Sequence, residues 1–589
     1  MSLKKNQDIQ LNIDGYTAEG NGVGHYDGQA VFVSGAAKGD TIIAHIIKAK
    51  KTYAIGIIKQ ILNKSHDRID VDCPHFRSCG GCAYRHISYE AEKQLKKQKV
   101  IDAFTRLAHL EVEVNDIITC KTQRYRNKAQ YPVGFEKQVV AGFYAQKSHR
   151  IINSSDCILQ PEEFASIVEI VKNWMTEFGI SAYDSVNHTG LIRHIYIRKA
   201  FVTGQIMVCL VINGDEVPKS HELVDDLLKI KGLASVSINK NTEKTNVILG
   251  LECKTLWGAD YIEDVLCGVK IRLSPLSFYQ VNHDCAELLY NKASEYVGAT
   301  GNETVLDLYC GAGTIGLSMA NKVKKIIGVE IIPEATHDAK VNAKNNNIEN
   351  CEFYCGDAKD AVKILKDKNI EPDAVILDPP RKGCDREVLE YVAEMNPKKI
   401  VYVSCDVSTQ ARDCAILKEL GYETKEVTPV DMFPRTSHTE TVALLSRQIN
   451  VHNMKLNAYP FEMIKSGKKT IELRLFDKKR QQIKAGDKIV FTDNTTGETL
   501  NTTVIKLHRF NTFDELYKSL PLLQCGYTSE NINMATPADM EKYYSVEEQN
   551  KYGVVGIELC RAKQITDENV ASVIKNKCRR VFYERNDKT

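Results

Sequence analysis

Residues 305–322 read VLDLYCGAGTIGLSMANK: an apolar strand, a glycine-rich turn and the start of a helix. The unit recurs downstream as KKIIGVEIIPEATHDAKVNAKNN (324–346), CEFYCGDAKDAVKILKD (351–367), DAVILDPPRKG (373–383) and KKIVYVSCDVSTQARDCAILKEL (398–420). A strand that must return to the same sheet through a helix gives a parallel, doubly wound α/β sheet with ligands at the carboxyl ends of its strands. The pattern predicts such a sheet over 291–447, with functional residues in the turns after each strand.

The turn Gly311-Ala312-Gly313-Thr314-Ile315-Gly316 fits the GxGxxG expression, and Glu330 ends the next strand, so this motif alone leaves nicotinamide dinucleotide binding open. Asp357 follows the third strand, Asp378-Pro379-Pro380 the fourth and Cys405 the fifth. A lone strand-end carboxylate is usually a cap, but successive units each carrying one weaken that plainer reading. The pattern resembles a class I S-adenosylmethionine (SAM) methyltransferase, whose acidic residue after the second strand accepts from the ribose hydroxyls. The DPP sequence resembles the substrate-side motif of enzymes that methylate planar bases.

Cys405 ends an apolar run, where a cysteine is ordinarily a packed thiol. Its place one unit after Asp378-Pro379-Pro380 favours a nucleophile instead. Uracil C5 is too weakly nucleophilic to accept a methyl group directly, and thiolate addition at C6 turns C5 into an enolate carbon. That chemistry needs a thiol deprotonated below its free pKa of about 8.5, and a base for the C5 proton. Glu440, in His438-Thr439-Glu440-Thr441-Val442, is the candidate base.

Together with Ser277-Phe278-Tyr279-Gln280-Val281-Asn282, Asp307 to Gly313, Gly328-Val329-Glu330, Asp378 to Gly383 and Ser404-Cys405-Asp406, these residues resemble the RNA uracil-5-methyltransferase family. The resemblance is to its iron-sulfur, TRAM-bearing branch acting on 23S ribosomal RNA, and runs from about Asp14 to Leu445. It implies Cys405 as nucleophile, Glu440 as C5 base, and SAM contacts from Gln280, Tyr309, Glu330, Asp357 and Asp378. Val407 stands where the family usually has proline, which is expected to loosen the turn presenting Cys405.

Cysteines crowd at Cys73, Cys79 and Cys82, with Cys157 downstream in SSDCILQP. Four thiolates can hold zinc or an iron-sulfur cluster, and spacing does not choose between them; a CxxC redox pair is the plainer reading, which the C-x5-C-x2-C crowding goes beyond. The family resemblance implies a 4Fe-4S cluster on these four residues, with a structural or RNA-positioning role.

The chain has 589 residues, 43% hydrophobic and 26% charged, enough for roughly three or four domains. Residues 1–150 hold 23 Lys and Arg against 15 Asp and Glu, while the whole chain is only +2. A basic N-terminal part suits a polyanion partner. In KTQRYRNKAQYP, Lys121, Arg124, Tyr125, Arg126, Asn127 and Lys128 interleave bases and aromatics as RNA contacts would, although a solvated basic strand reads alike. No apolar run spans a membrane and no secretory signal opens the chain, so a cytoplasmic protein with reduced thiols is expected.

The domain reading is therefore residues 1–62 as a TRAM-like, OB-like β-barrel, 63–110 as the iron-sulfur segment, and 111–290 as a central α+β RNA-binding domain. The methyltransferase sheet follows at 291–447, then a β-barrel at 451–562 and a basic tail at 563–589. The last barrel resembles an ASCH domain through Met463 to Arg474 and Ile483 to Ile489. Some ASCH proteins hydrolyse modified nucleosides, which would give Lys468 or Lys469 with Thr470 a catalytic part; an accessory RNA-binding role is the leading reading.

The leading function is methylation of uracil C5 in 23S ribosomal RNA, with transfer RNA as competing substrate. Cytosine-5 methylation would place its cysteine in a different motif. An RNA-binding protein with a degenerate methyltransferase sheet would have no need of Cys405 and Glu440 together.

Overall fold

The computed structural model describes residues 3–367 and 370–561; the basic tail at 563–589 lies outside them. The chain divides into two compact units, residues 1–447 and 448–589.

The first unit opens with a six-stranded sheet in the order Asp8–Asn12, Thr41–Ala49, Tyr53–Asn63, Gln29–Val33, Gly22–Tyr26, Gly15–Tyr16. Period-two alternation points Ile42, Ala44 and Ile46 to one face, where they join Ile9, Leu11, Val31 and Val33 in a core. Asp40 holds the exit from this sheet: it accepts from the Ala37 and Ser65 amides and from Arg68, at 2.6 Å to Nη2. The cysteine-rich segment follows and leads into a helix, Tyr89–Asp102, capped by Ser88.

A seven-stranded sheet comes next, with strands Ile192–Lys199 and Ile206–Ile212 at its middle. Strand Ile206–Ile212 is buried at every residue rather than at alternate ones. Both faces of the sheet are covered: Tyr196, Met207 and Cys209 join the core shared with the methyltransferase sheet, whereas Ile195, Ile197 and Val208 pack with helix Glu162–Glu177.

The eight-stranded sheet has the order Cys351–Cys355, Lys325–Glu330, Thr304–Leu308, Ala374–Leu377, Lys399–Ser404, Glu440–Arg447, Tyr422–Val430, Glu113–Val114. Its first five strands are parallel, and Glu440–Arg447 runs antiparallel beside Lys399–Ser404. The parallel strands read as unbroken apolar runs because helices cover both faces. Two elements reach this sheet from outside 291–447: the edge strand Glu113–Val114, and helix His283–Val297, which crosses residue 290 and buries Leu289, Tyr290 and Ala293 in the shared core.

The second unit contains a five-stranded sheet in the order Val451–Leu456, Lys488–Asp493, Thr499–Phe510, Val554–Arg561, Ile471–Leu475. Phe461, Phe491, Val555 and Ile557 fill its core. Among the described residues no helix is long and apolar enough to cross a membrane.

Candidate active site

The strand order of the large sheet sets Asp357, Glu330, Tyr309, Asp378, Cys405 and Glu440 side by side along one edge, each at or just past the end of a successive strand. The parallel strands present their carboxyl ends there, and the antiparallel strand Glu440–Arg447 presents its start. Ser404 pairs with Thr441, so Cys405 and Glu440 each stand one residue beyond that pair.

The turn after strand Thr304–Leu308 is tightly wound. Tyr309, Gly311 and Gly313 have φ of 64°, 55° and 76°. A positive φ at a tyrosine is uncommon and concentrates at functional turns. At Gly313 a side chain would also collide with the Phe353 ring, 2.9 Å from a built Cβ. Glu330 accepts from the Gly311 amide at 3.0 Å and the Ile332 amide at 2.9 Å, which fixes a carboxylate over the glycine turn. Asp357 accepts from the Lys359 amide at 2.9 Å, at the start of helix Ala358–Asp367. Gln280 lies off the sheet, just before helix His283–Val297, and Asn127 donates to its backbone oxygen at 2.7 Å.

Asp307, absent from the sequence-derived site, lies beneath this turn. It is fully buried and accepts from the Gly316 amide at 3.0 Å. Burial, with repulsion from Asp378 and Glu330, pushes its carboxyl up to about 8. Burial alone raises Asp378 to about 7. Glu440 reaches about 8 through burial and the charge of Asp378, with Arg381 opposing. Low-dielectric surroundings disfavour the charged forms of Asp307, Asp378 and Glu440.

Cys405 is half-buried between strand Lys399–Ser404 and helix Val407–Glu419. Its thiol is pushed up to about 11, first by burial and then by Glu440 and Asp378, against Arg381. The sequence argument required a lowered thiol, whereas burial and the neighbouring carboxyls raise it. The turn itself is held without the family proline. Asp406 accepts from the Ser408 amide at 2.9 Å and the Thr409 amide at 3.3 Å, and the Ser404 hydroxyl accepts from the Asp406 amide at 3.1 Å. Val407 packs into the core at the first helical position. Arg381, acting electrostatically on both Cys405 and Glu440, was legible only as the residue following Asp378-Pro379-Pro380.

Cys73, Cys79, Cys82 and Cys157 all line one cavity of about 100 Å³, with Arg85 and Arg126 in its wall. Burial raises the thiols of Cys79, Cys82 and Cys157. Among the described residues no group of three or more His, Cys, Asp or Glu side chains is placed to hold a metal ion.

The stretch 121–128 is largely a joint rather than a surface. Tyr125 and Asn127 are fully buried: the Tyr125 hydroxyl donates to the Pro434 oxygen at 3.0 Å, and Asn127 holds Gln280. They are corrected from RNA contacts to framework residues, since a buried ring has no face for a base. Lys121 pairs with Asp284 at 3.1 Å and Arg124 with Asp156 at 2.8 Å. Burial, then Arg198 and Arg126, lowers Lys128 to about 8.

In the second unit Lys468 is exposed, while Lys469 is buried and pairs with Glu472 at 2.9 Å. Against the effect of burial, Lys469 and Arg474 hold the Glu472 carboxyl below its usual range. The Thr470 amide donates to the Gln524 oxygen at 2.9 Å.

Residues 88–448 match the sequence profile of the tRNA (uracil-5-)-methyltransferase family, residues 3–59 that of the TRAM domain and residues 454–561 that of the ASCH domain. A protein of Clostridium tetani described as an uncharacterized RNA methyltransferase is 45% identical over 75% of this chain and 97% of its own length. One from Halalkalibacterium halodurans, described likewise, is 42% identical over 75% and 98%. Among solved structures, the tRNA (uracil-54, C5)-methyltransferase of Pyrococcus abyssi, in complex with S-adenosyl-L-homocysteine, is 27% identical. It covers 74% of this chain and 99% of its own with a TM-score of 0.62. With the family profile spanning well over half of the residues and relatives matched along nearly their whole length, this chain is an RNA methyltransferase of the tRNA (uracil-5-)-methyltransferase family, carrying TRAM and ASCH domains.

Proposed function

We propose that the enzyme methylates C5 of uracil in RNA, with Cys405 as nucleophile and Glu440 as base. The observation that carries this reading is the register that sets a thiol and a carboxyl one residue beyond the pair Ser404–Thr441. The Cys405 sulfur adds to C6, and the C5–C6 π electrons move onto C5 and O4 as an enolate. SAM, when bound, supplies the methyl group that C5 takes and a positive charge close to the carboxylates. Glu440 as carboxylate then removes the C5 proton; the released pair reforms the C5–C6 double bond and expels the Cys405 thiolate.

Burial first, and any charge on Glu440 and Asp378 after it, keeps the resting Cys405 thiol protonated. The positive charge that SAM would bring beside these groups would favour the thiolate, the Cys405 proton passing to solvent before the sulfur adds to C6. Gln280, Tyr309, Glu330, Asp357 and Asp378 form that site in this reading: Glu330 for the ribose hydroxyls, Asp378 towards the reacting centre. A base stacked in a helix cannot present C6 to a thiol, so the target is flipped out or single-stranded.

The four cysteines hold a 4Fe-4S cluster that braces the segment between the TRAM domain and helix Tyr89–Asp102. Support comes from the shared cavity, the all-sulfur donor set and the two arginines facing it. We assign 23S ribosomal RNA as substrate on the resemblance to the iron-sulfur branch. Transfer RNA is the second reading, favoured by the Pyrococcus abyssi structure, whose protein acts on tRNA. The ASCH domain serves as an accessory RNA-binding module in this scheme.

The test is to incubate anaerobically purified protein and SAM with ribosomal and transfer RNA transcripts containing 5-fluorouridine. Fluorine at C5 blocks the elimination, so an adduct mapped to Cys405 by mass spectrometry supports the mechanism, and the trapped RNA names the substrate. SAM binding with no adduct on either RNA would overturn it.

A further inference from the structure

The cysteine segment has a second concavity on its other side. A pocket of about 510 Å³ lies between Gly80 and Gly81 and the turn carrying Tyr144, Gln146, Lys147 and His149. It shares Gly81 and Phe143 with the cysteine-lined cavity, so one thin wall separates the two. That wall is backbone against backbone: Cys79 bridges to Ala145, and the Gly80 amide donates to the Tyr144 oxygen at 3.0 Å. A Cβ on Gly80 would stand 3.2 Å from the Gln146 Cα, so the close approach selects glycine. The Ser34 hydroxyl, from the first sheet, reaches Gln146 at 3.4 Å. Three parts of the first unit thus meet around the pocket.

Its chemistry is that of a nucleotide site. Tyr144 and His149 form an edge-to-face ring pair with centroids 5.5 Å apart, and both are exposed. Lys147 sits in the turn with φ of 54°, and it and Arg150 are exposed too. Lys121 and Arg124 are taken by carboxylates, whereas among the described residues no ion pair takes Lys147, His149 or Arg150. Aromatic faces flanked by free cations stack bases and neutralise phosphates in single-stranded RNA, and the volume lies within the range of about 300–1,000 Å³ usual for ligand sites. The same segment continues to the catalytic edge: the Ala83 and Tyr84 amides donate to the Arg435 oxygen at 2.8 and 3.2 Å, shortly before Glu440.

We propose that this pocket takes one unpaired nucleotide of the RNA substrate, at a distance in sequence from the base being methylated. Its base stacks on Tyr144 with His149 against its edge, and its phosphate lies against Lys147 and Arg150. Anchoring there sets the register in which the target uracil reaches Cys405. The proposal rests on the RNA-uracil reading given above.

The experiment compares full-length wild type, Tyr144→Ala and Lys147→Glu, purified anaerobically, in filter binding and in methylation of the RNA identified by 5-fluorouridine trapping. Each variant is expected to weaken RNA binding and raise KM by about tenfold with kcat unchanged. Lys147→Glu should also lower the salt slope of binding by about one. Ultraviolet crosslinking should map RNA to Tyr144 or His149. Wild-type KM, RNA affinity and crosslinking pattern in both variants would overturn the pocket. A wild type that methylates no RNA brings down the uracil reading, while filter binding and crosslinking still decide the pocket.

Discussion

Cys405 and Glu440, separated by most of a βα unit and a returning strand in sequence, stand opposite each other because Ser404 pairs with Thr441 across antiparallel strands. Neither residue alone makes a reaction, and the register makes them a pair.

Cys405→Ala is expected to abolish turnover and leave RNA affinity within twofold of wild type. Glu440→Gln should behave differently, slowing turnover by roughly 10²–10⁴-fold while a methylated Cys405–RNA adduct accumulates. Denaturing gels with labelled RNA distinguish them; an absence of adduct in Glu440→Gln would assign proton removal to another group.

The reaction rate should rise with pH. Glu440 is pushed up to about 8 and must lose its proton to act as base, and the Cys405 thiol is raised to about 11. Values of kcat/KM for SAM, which report the free enzyme, should climb between pH 6 and pH 9, with Glu440 setting the midpoint near 8. A flat profile across this window would separate Glu440 from the rate.

Stability should run the opposite way. Asp307, Asp378 and Glu440 all have folded-state values above their unfolded ones, at about 8, 7 and 8. The folded chain therefore binds protons more tightly; this contribution is full below about pH 4 and is lost as pH rises through 7 to 8. The Tm of the ligand-free protein should fall from pH 5 to pH 9, and Asp307→Asn should flatten the slope. An Asp307→Asn slope equal to wild type would contradict the shift.

Lys96 is buried and donates to Glu92 at 2.8 Å and Asp431 at 2.6 Å, tying helix Tyr89–Asp102 to the segment ahead of Glu440. Lys96→Met removes the cation from two buried carboxylates, at a cost of about 3–5 kcal/mol. Urea denaturation should show this as a lower midpoint; an unchanged midpoint would mean the carboxylates take up protons without penalty.

The alternating strands and helices of 305–420 were legible because each βα unit carries its own period and its own glycine turn. The family relationship was legible as well, in short motifs at strand ends. One local reading failed for a tertiary reason, and one turn is held by local hydrogen bonds. KTQRYRNKAQYP looks like a basic, aromatic surface, yet Tyr125 and Asn127 are sealed between the central segment and the methyltransferase core. A missing proline after Asp406 suggested a loose turn, yet Asp406 and Ser404 hold it by hydrogen bonds that composition does not announce.

By itself the sequence determined the doubly wound sheet, because periodicity acts over a few residues, and the TRAM and ASCH modules and the methyltransferase family through resemblance of its short motifs. Only the tertiary structure decided which groups share a low-dielectric edge. Burial raises all of Asp307, Asp378, Cys405 and Glu440, and Asp378 adds to the shift of the other three through space, across strands whose order no local pattern encodes. The same holds for the pocket beside the cysteines, whose wall exists because Gly80 lets two distant backbones touch.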